Sequence, residues 1–280
     1  FVEDAHYDMS EAPDMGERVL ERLNGKKDID LLIVNGTLAA LNIANSKHQV
    51  PTMVFATSNA VQSGIIKSPE DSGLKHVWAH VDPERFKRQV EIFYDIFKFK
   101  KVGLVYEDSY RKVFAAVEDV EDVAGIHGFD IKHCYVDGPV DGNDYDRYLK
   151  DVINAHKKLA EEVDAMYVTN GAWNFEDLPG LLKPFYDRKI PVFSQAGSIE
   201  VRYGALMSIA RADFSGIGRF GADRIARVFN GTPPGELSQV FEDTPNIALN
   251  MEVADKILYK PDFEILLVAD EIYMTVEGSK

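Results

Sequence analysis

The sequence predicts an α/β protein with two Rossmann-like lobes, each a parallel sheet flanked by helices. Three observations predict it. Short apolar runs alternate with amphipathic helical stretches. One strand–helix–strand segment occurs twice. A chain of 280 residues, 45% of them hydrophobic, is enough for one large core or two modest ones.

The strand candidates are 31–35, 52–56, 102–106, 129–136, 165–169 and 191–195. They are short and nearly continuous in apolar character, as parallel strands buried on both faces are. Helical periodicity fills the intervals. Residues 12–24 bring Met15, Val19, Leu20 and Leu23 to one face. Residues 83–97 do the same with Phe86, Val90, Phe93, Tyr94 and Phe97, and 145–163 follow suit.

The internal repeat is the most informative feature. Asp30-Leu31-Leu32-Ile33-Val34-Asn35-Gly36 resembles Asp164-Ala165-Met166-Tyr167-Val168-Thr169-Asn170. Each copy continues through a helical stretch to a second strand opened by a proline, Pro51 or Pro191. The second copy is preceded by a further strand and helix, from Lys101 to about Gly128. The first has no such unit, and its closest equivalent is the stretch 1–7. Symmetry therefore leads us to expect a βα unit of about 30 residues missing before residue 1, which would carry a central strand of the first lobe; the alternative is a first lobe that lacks the unit and leaves a gap in its sheet. The expected division is 1–80 with 213–232 for the first lobe, and 81–212 with 233–280 for the second.

The formal net charge of −15 removes the basic footprint that nucleic acid or anionic lipid would need, and reads as a solubility feature. The single cysteine, Cys134, excludes an intramolecular disulfide, and its apolar run 129–136 makes it filler rather than a nucleophile. No run approaches about 18 consecutive apolar residues, so no membrane span is expected. The chain opens on Phe1 with no secretory leader, which fits a leader that has been removed.

Two tandem α/β lobes open a cleft at the carboxyl ends of their strands, where loops and helix N-termini present unpaired N–H groups. Five loops fall at such ends: Asn35-Gly36-Thr37, Ala56-Thr57-Ser58-Asn59, Glu107-Asp108-Ser109-Tyr110, Thr169-Asn170-Gly171-Ala172-Trp173 and Gln195-Ala196-Gly197-Ser198. Any one of them alone is ordinary capping and turn chemistry. Five together favour a polar ligand cleft that meets carboxylate, amine and hydroxyl groups through neutral hydrogen bonds. Trp173 and Tyr110 either stack on a ligand or pack as core aromatics. Glu107 and Asp108 either face a cationic group or cap the helix expected from Ser109.

Other motifs carry less. Gly216-Ile217-Gly218-Arg219-Phe220-Gly221 matches a dinucleotide fingerprint in letters, but no strand precedes it and no acidic strand end follows, so it reads as a helix with small packing residues. His76 and His80 lack a third metal ligand at useful spacing, and solvated or capping roles suit them better. No strand–G-x-S-x-G–helix elbow is present. The reading is of a protein with no catalytic residues, no metal and no cofactor.

The order of these pieces is similar to the ABC-transporter substrate-binding proteins that include tryptophan- and tyrosine-binding members. The residues that carry the likeness are 30–36, 50–64 with Phe55-Ala56-Thr57-Ser58-Asn59, 101–106, Tyr203-Gly204-Ala205-Leu206, Asp213-Phe214, Asn230-Gly231-Thr232-Pro233 and 248–254. The resemblance implies a type I periplasmic-binding fold. It also implies ligand contacts at Gly36, Thr37, Thr57, Ser58, Ser109, Thr169, Asn170 and Gln195. The function it implies is that of an extracytoplasmic receptor, a monomer or an anchored lipoprotein, handing a small amino-acid-like solute to an ABC permease. The alternative is the ligand-sensing domain of a kinase or chemoreceptor, with the same fold and cleft. The acidic loop at Glu107 and Asp108 departs from the Asn/Ser-rich loop usual in relatives and favours an amine-bearing ligand.

Overall fold

The computed structural model describes residues 14–25, 27–107, 116–139, 144–210, 215–242 and 245–278. The chain divides into two compact units, 1–83 with 214–243 and 84–213 with 244–280. The sequence reading assigned 233–242 to the second lobe; the structure gives this segment to the first unit. Leu237 is buried against Met53 and Trp78. The Trp78 indole donates to the Ser238 carbonyl at 2.9 Å, and Val81 bridges Val240. Apolar Leu237 is needed to cover the first sheet, and no local pattern reveals that need.

In the first unit β1 (Leu32–Asn35), β2 (Thr52–Phe55) and β3 (Val77–Ala79) form a parallel sheet in that order. Side chains alternate across it. Val34, Val54, Val77 and Ala79 pack with Leu20, Leu23, Ala40 and Ile43 of the helices Met15–Gly25 and Thr37–Ile43. Met53 and Trp78 pack with Phe220, Ile225 and Val228 of the helix Ser215–Phe229. The G-x-G-x-x-G letters lie inside that helix. Gly221 sits against the Phe55 ring, and a Cβ there would collide with it. The glycine serves close packing. His76 is buried with Nε2 3.1 Å from the Asn45 carbonyl, and His80 reaches the Phe241 carbonyl at 3.2 Å, so both tie backbone together where solvated roles were expected.

The second unit holds β4 (Lys101–Glu107), β5 (Asp130–Val136), β6 (Ala165–Val168), β7 (Val192–Ser194), β8 (Met207–Ser208), β9 (Ala248–Asn250) and β10 (Glu271–Tyr273). Their order is β10-β9-β8-β7-β6-β4-β5, parallel except between β8 and β9. The chain leaves β4 for β5 on one side and resumes with β6 on the other, so the order reverses between β4 and β6. Its core is built on Phe93, Leu104, Tyr148, Tyr167, Leu182, Phe185 and Phe193.

The repeat is structural. Leu32, Ile33 and Val34 pair with Thr52, Met53 and Val54, and Met166, Tyr167 and Val168 pair with Val192, Phe193 and Ser194. Leu32 N donates to the Pro51 carbonyl at 2.8 Å, and Met166 N to the Pro191 carbonyl at 2.9 Å. The stretch 1–7 lies outside the described residues. Among those described, β1 pairs only with β2.

Candidate functional site

In open α/β sheets the crevice beyond the strands' carboxyl ends, at the point where strand order reverses, is the ligand position. In the second unit that point lies between β4 and β6. Register places the residues there: Val105 opposes Val168, which opposes Ser194. Glu107, Thr169 and Gln195 therefore end three adjacent strands on one edge.

These residues differ in what they already do. Thr169 is buried, and its hydroxyl donates to the Val105 carbonyl at 2.7 Å, so it braces β6 against β4. Gln195 is buried, and its N–H donates to the Val168 carbonyl at 2.9 Å. Glu107 is buried over Gly138, where a Cβ would collide with its carboxylate. Ser198 is buried and hydrogen-bonded to Glu271 and Tyr273. Asn170 is exposed. Asp108, Ser109 and Tyr110 lie outside the described residues.

The loop after β6 is pinned from the helix Tyr145–Leu159. Ala172 N donates to the Tyr148 hydroxyl at 2.9 Å and Asn174 N to the Tyr145 hydroxyl at 2.7 Å. Trp173 is buried in the core rather than held out as a platform. Its ring packs on Gly171, where a Cβ would collide with it, and its Nε1–H donates to Glu200 at 3.3 Å. The need to bury a large indole in a loop rich in small residues explains the inward turn.

Glu200, missed by sequence reading, stands on the helix Ser198–Arg202. Its other carboxylate oxygen accepts from the Ser194 hydroxyl at 2.6 Å. Burial raises its pKa to about 7, against the two hydrogen bonds that favour the charged form. The one available signal was its place three residues after Gly197, where glutamate commonly closes a helix start. Its partner Trp173 is 27 positions away, beyond any local pattern.

In the first unit Gly36 and Ala56 follow the paired ends Asn35 and Phe55. Gly36 has φ 90° and ψ 155° and opens the helix Thr37–Ile43; Ala56 has φ 53°, an uncommon left-handed conformation for a residue with a Cβ. Thr37 is buried, and its hydroxyl accepts from Ser58 N at 3.2 Å, linking the two loops. Asn59 is buried and its Oδ1 accepts from Val61 N and Gln62 N, both at 3.1 Å. Thr57 and Ser58 are half-buried. Each unit thus brings its own predicted residues to one edge, with the buried Thr37, Asn59 and Thr169 bracing the loops, Thr57 and Ser58 half-buried and Asn170 exposed.

Among the described residues, no group of three or more His, Cys, Asp or Glu is placed to hold a metal, and no helix is long and apolar enough to cross a membrane.

A family model for ABC transporter substrate binding proteins matches residues 2–272. A tyrosine-binding protein of Clostridioides difficile is 23% identical over 223 residues, which are 79% of this chain and 61% of that relative. The match therefore spans less than two thirds of that relative's length. The ABC domain in complex with L-Trp from Streptococcus pneumonia shares the fold with a TM-score of 0.71 at 19% identity, over 93% of this chain and 86% of that one. The ligand-free, open structure of a substrate binding protein with adhesive properties from Clostridium difficile gives 0.67 at 21% identity, over 96% and 84%. The type I periplasmic-binding fold expected from sequence is the fold these structures share.

Proposed function

This chain belongs to the ABC transporter substrate binding protein family, and from that premise we propose that it is the extracytoplasmic solute receptor of an ABC importer, binding an amino acid without transforming it. The observation that carries the reading is the strand-order reversal between β4 and β6, with Glu107, Thr169 and Gln195 at its edge. The first unit presents its own loops, Gly36-Thr37 and Thr57-Ser58-Asn59, at the carboxyl ends of its strands.

The chemistry of the edge suits an α-amino acid. Glu107 offers a carboxylate to the ammonium group, and the exposed Asn170 amide offers donors to the carboxylate. The relatives that carry L-Trp or are called tyrosine-binding support an aromatic amino acid. Calorimetric titration with the twenty amino acids, one at a time, tests this. Saturable binding of one or a few at about micromolar Kd or tighter is expected. Absence of heat with all of them, with the ligand recovered from freshly purified protein belonging to another class, would overturn the amino-acid assignment.

A further inference from the structure

Glu200 ties the loop after β6 to the end of β7 beyond the last paired residues of those two strands. One carboxylate oxygen accepts from the Trp173 indole of the loop after β6, and the other from the Ser194 hydroxyl at the end of β7. The Ser194 oxygen also accepts from Ala196 N and Gly197 N, both at 3.1 Å, which fixes the turn that presents Gln195 and starts the next helix. A serine hydroxyl has two lone pairs and one proton. With both lone pairs taken by N–H groups, the proton goes to Glu200.

We propose that Glu200 is a positioning residue for ligand binding: its carboxylate anchors the loop of Trp173 and the turn of Ser194 together, and protonation of Glu200 loosens the turn. This rests on the reading of those loops as the ligand edge. A protonated Glu200 must itself donate, and of its two hydrogen-bond partners only the Ser194 oxygen can accept, and that oxygen already accepts from two N–H groups. Ser194 would then turn its proton toward the Gly197 carbonyl, 3.4 Å away, a weaker partner. The charged form therefore holds the turn with every hydrogen bond made, and the neutral form does not. Burial brings this titration close to neutrality.

Among the described residues, the groups around the helix leave Glu200 as the one that titrates there. Of the strands packed on its helix, β7, β8 and β9 carry no ionisable side chain. On β10, Glu271 and Tyr273 both meet Ser198; burial raises the Tyr273 pKa, and for Glu271 burial pushes upward but hydrogen bonds from Tyr273, Asn246 and Ser198 leave it lowered. On β6, Tyr167 is held well above the usual phenol range, chiefly by burial, and stays neutral. On the helix itself Arg202 pairs with Glu277 at the surface.

The test has two readouts. Tryptophan emission from ligand-free protein, followed from about pH 5 to about pH 9, should show one transition near neutrality in wild type. Glu200→Gln, which keeps the shape but cannot ionise, should flatten it; Trp78 is common to both proteins and is buried in the other unit. The second readout is L-tyrosine binding by calorimetry. Affinity should rise with pH through the same transition in wild type and not in Glu200→Gln. Glu200→Ala should weaken binding about tenfold or more, and Glu200→Gln, which puts an amide N–H where the charged carboxylate accepts, should bind like wild type at the acid end of the transition. Should Glu200→Gln not fold, Ser194→Ala replaces it: affinity should lose its pH dependence while the emission transition remains. An emission transition that persists in Glu200→Gln, or an Ala variant that binds like wild type, overturns the proposal. If wild type binds no L-tyrosine, the ligand assignment falls, and the emission readout still decides whether Glu200 holds Trp173.

Discussion

β1 and β6 have similar sequences and pair in the same register with proline-opened partners, yet they end in different surroundings. Ile33 is 39% exposed, while Tyr167, its equivalent, is fully buried. The difference is the neighbour. β6 has β4 on its second edge, and the Tyr167 hydroxyl donates to Gln89 of the helix Arg85–Phe97 at 2.7 Å. Among the described residues β1 has β2 alone. A strand's own sequence sets its pairing; its burial is set by what lies beside it.

The largest effect tests this contrast directly. Tyr167→Ala should cost about 3–5 kcal/mol, because it leaves a cavity in a close-packed core and strands Gln89 without its donor. Ile33→Ala should cost less than about 2 kcal/mol, since much of that side chain already meets water. Urea midpoints of the two variants measure both. Equal losses would mean that the outer face of β1 is covered as fully as β6, and would break the comparison.

A second contrast is in buried ionisable groups. In the second unit His156 is fully buried, with Nδ1 2.8 Å from the Leu181 carbonyl, and burial lowers its pKa from 6.5 to about 4. Its folded pKa is depressed, so its contribution is complete above pH 6.5 and is lost as pH falls through about 4. The shift amounts to about 3 kcal/mol at most. Glu200 has the opposite sign. Its folded pKa is raised, so its contribution is complete below pH 4.5 and is lost as pH rises through about 7. In the first unit His76 moves the same way as His156, and burial is again the main cause. Denaturant titrations across pH should therefore find His156→Asn less acid-labile than wild type. Glu200→Gln should be more stable than wild type above about pH 7 and equal to it near about pH 4. Unchanged acid sensitivity in His156→Asn would show that other groups carry that limb.

The alternation of apolar runs made both sheets' longer strands readable, and Pro51 and Pro191 marked equivalent strand starts. What escaped were the short strands and the long-range partners. Val77–Ala79 is three residues between histidines, and its Trp78 is fixed by Ser238, 160 positions on. Met207–Ser208 is too short to show any period. At the site, small polar residues at strand ends were readable as a set, but not which of them would be used internally. Thr169 and Asn59 spend their oxygens on backbone, and Trp173 turns inward to Glu200. Those outcomes depend on partners that only the fold brings near.

The smallest expected effect separates bracing residues from reaching ones. Asn170 is exposed and Ser58 is half-buried, one on each unit's proposed ligand edge. Asn170→Ala should leave the denaturant midpoint unchanged, because an exposed amide loses only water. If Asn170 meets a neutral ligand group, binding of the identified amino acid should weaken by about 0.5–1.5 kcal/mol, or by about 1.5–3 kcal/mol if the group is charged. Thr169→Val should behave in the reverse way. It keeps the shape but removes the hydroxyl that braces Val105, so stability should fall first and affinity only through the loosened edge. Ser58→Ala gives the same reading from the first unit, since its N–H link to Thr37 survives the substitution. Calorimetry and denaturant titration on the three variants sort them. Weakened binding in Asn170→Ala alone would place recognition on the second unit. Weakened binding in both Asn170→Ala and Ser58→Ala would assign recognition to residues of both edges.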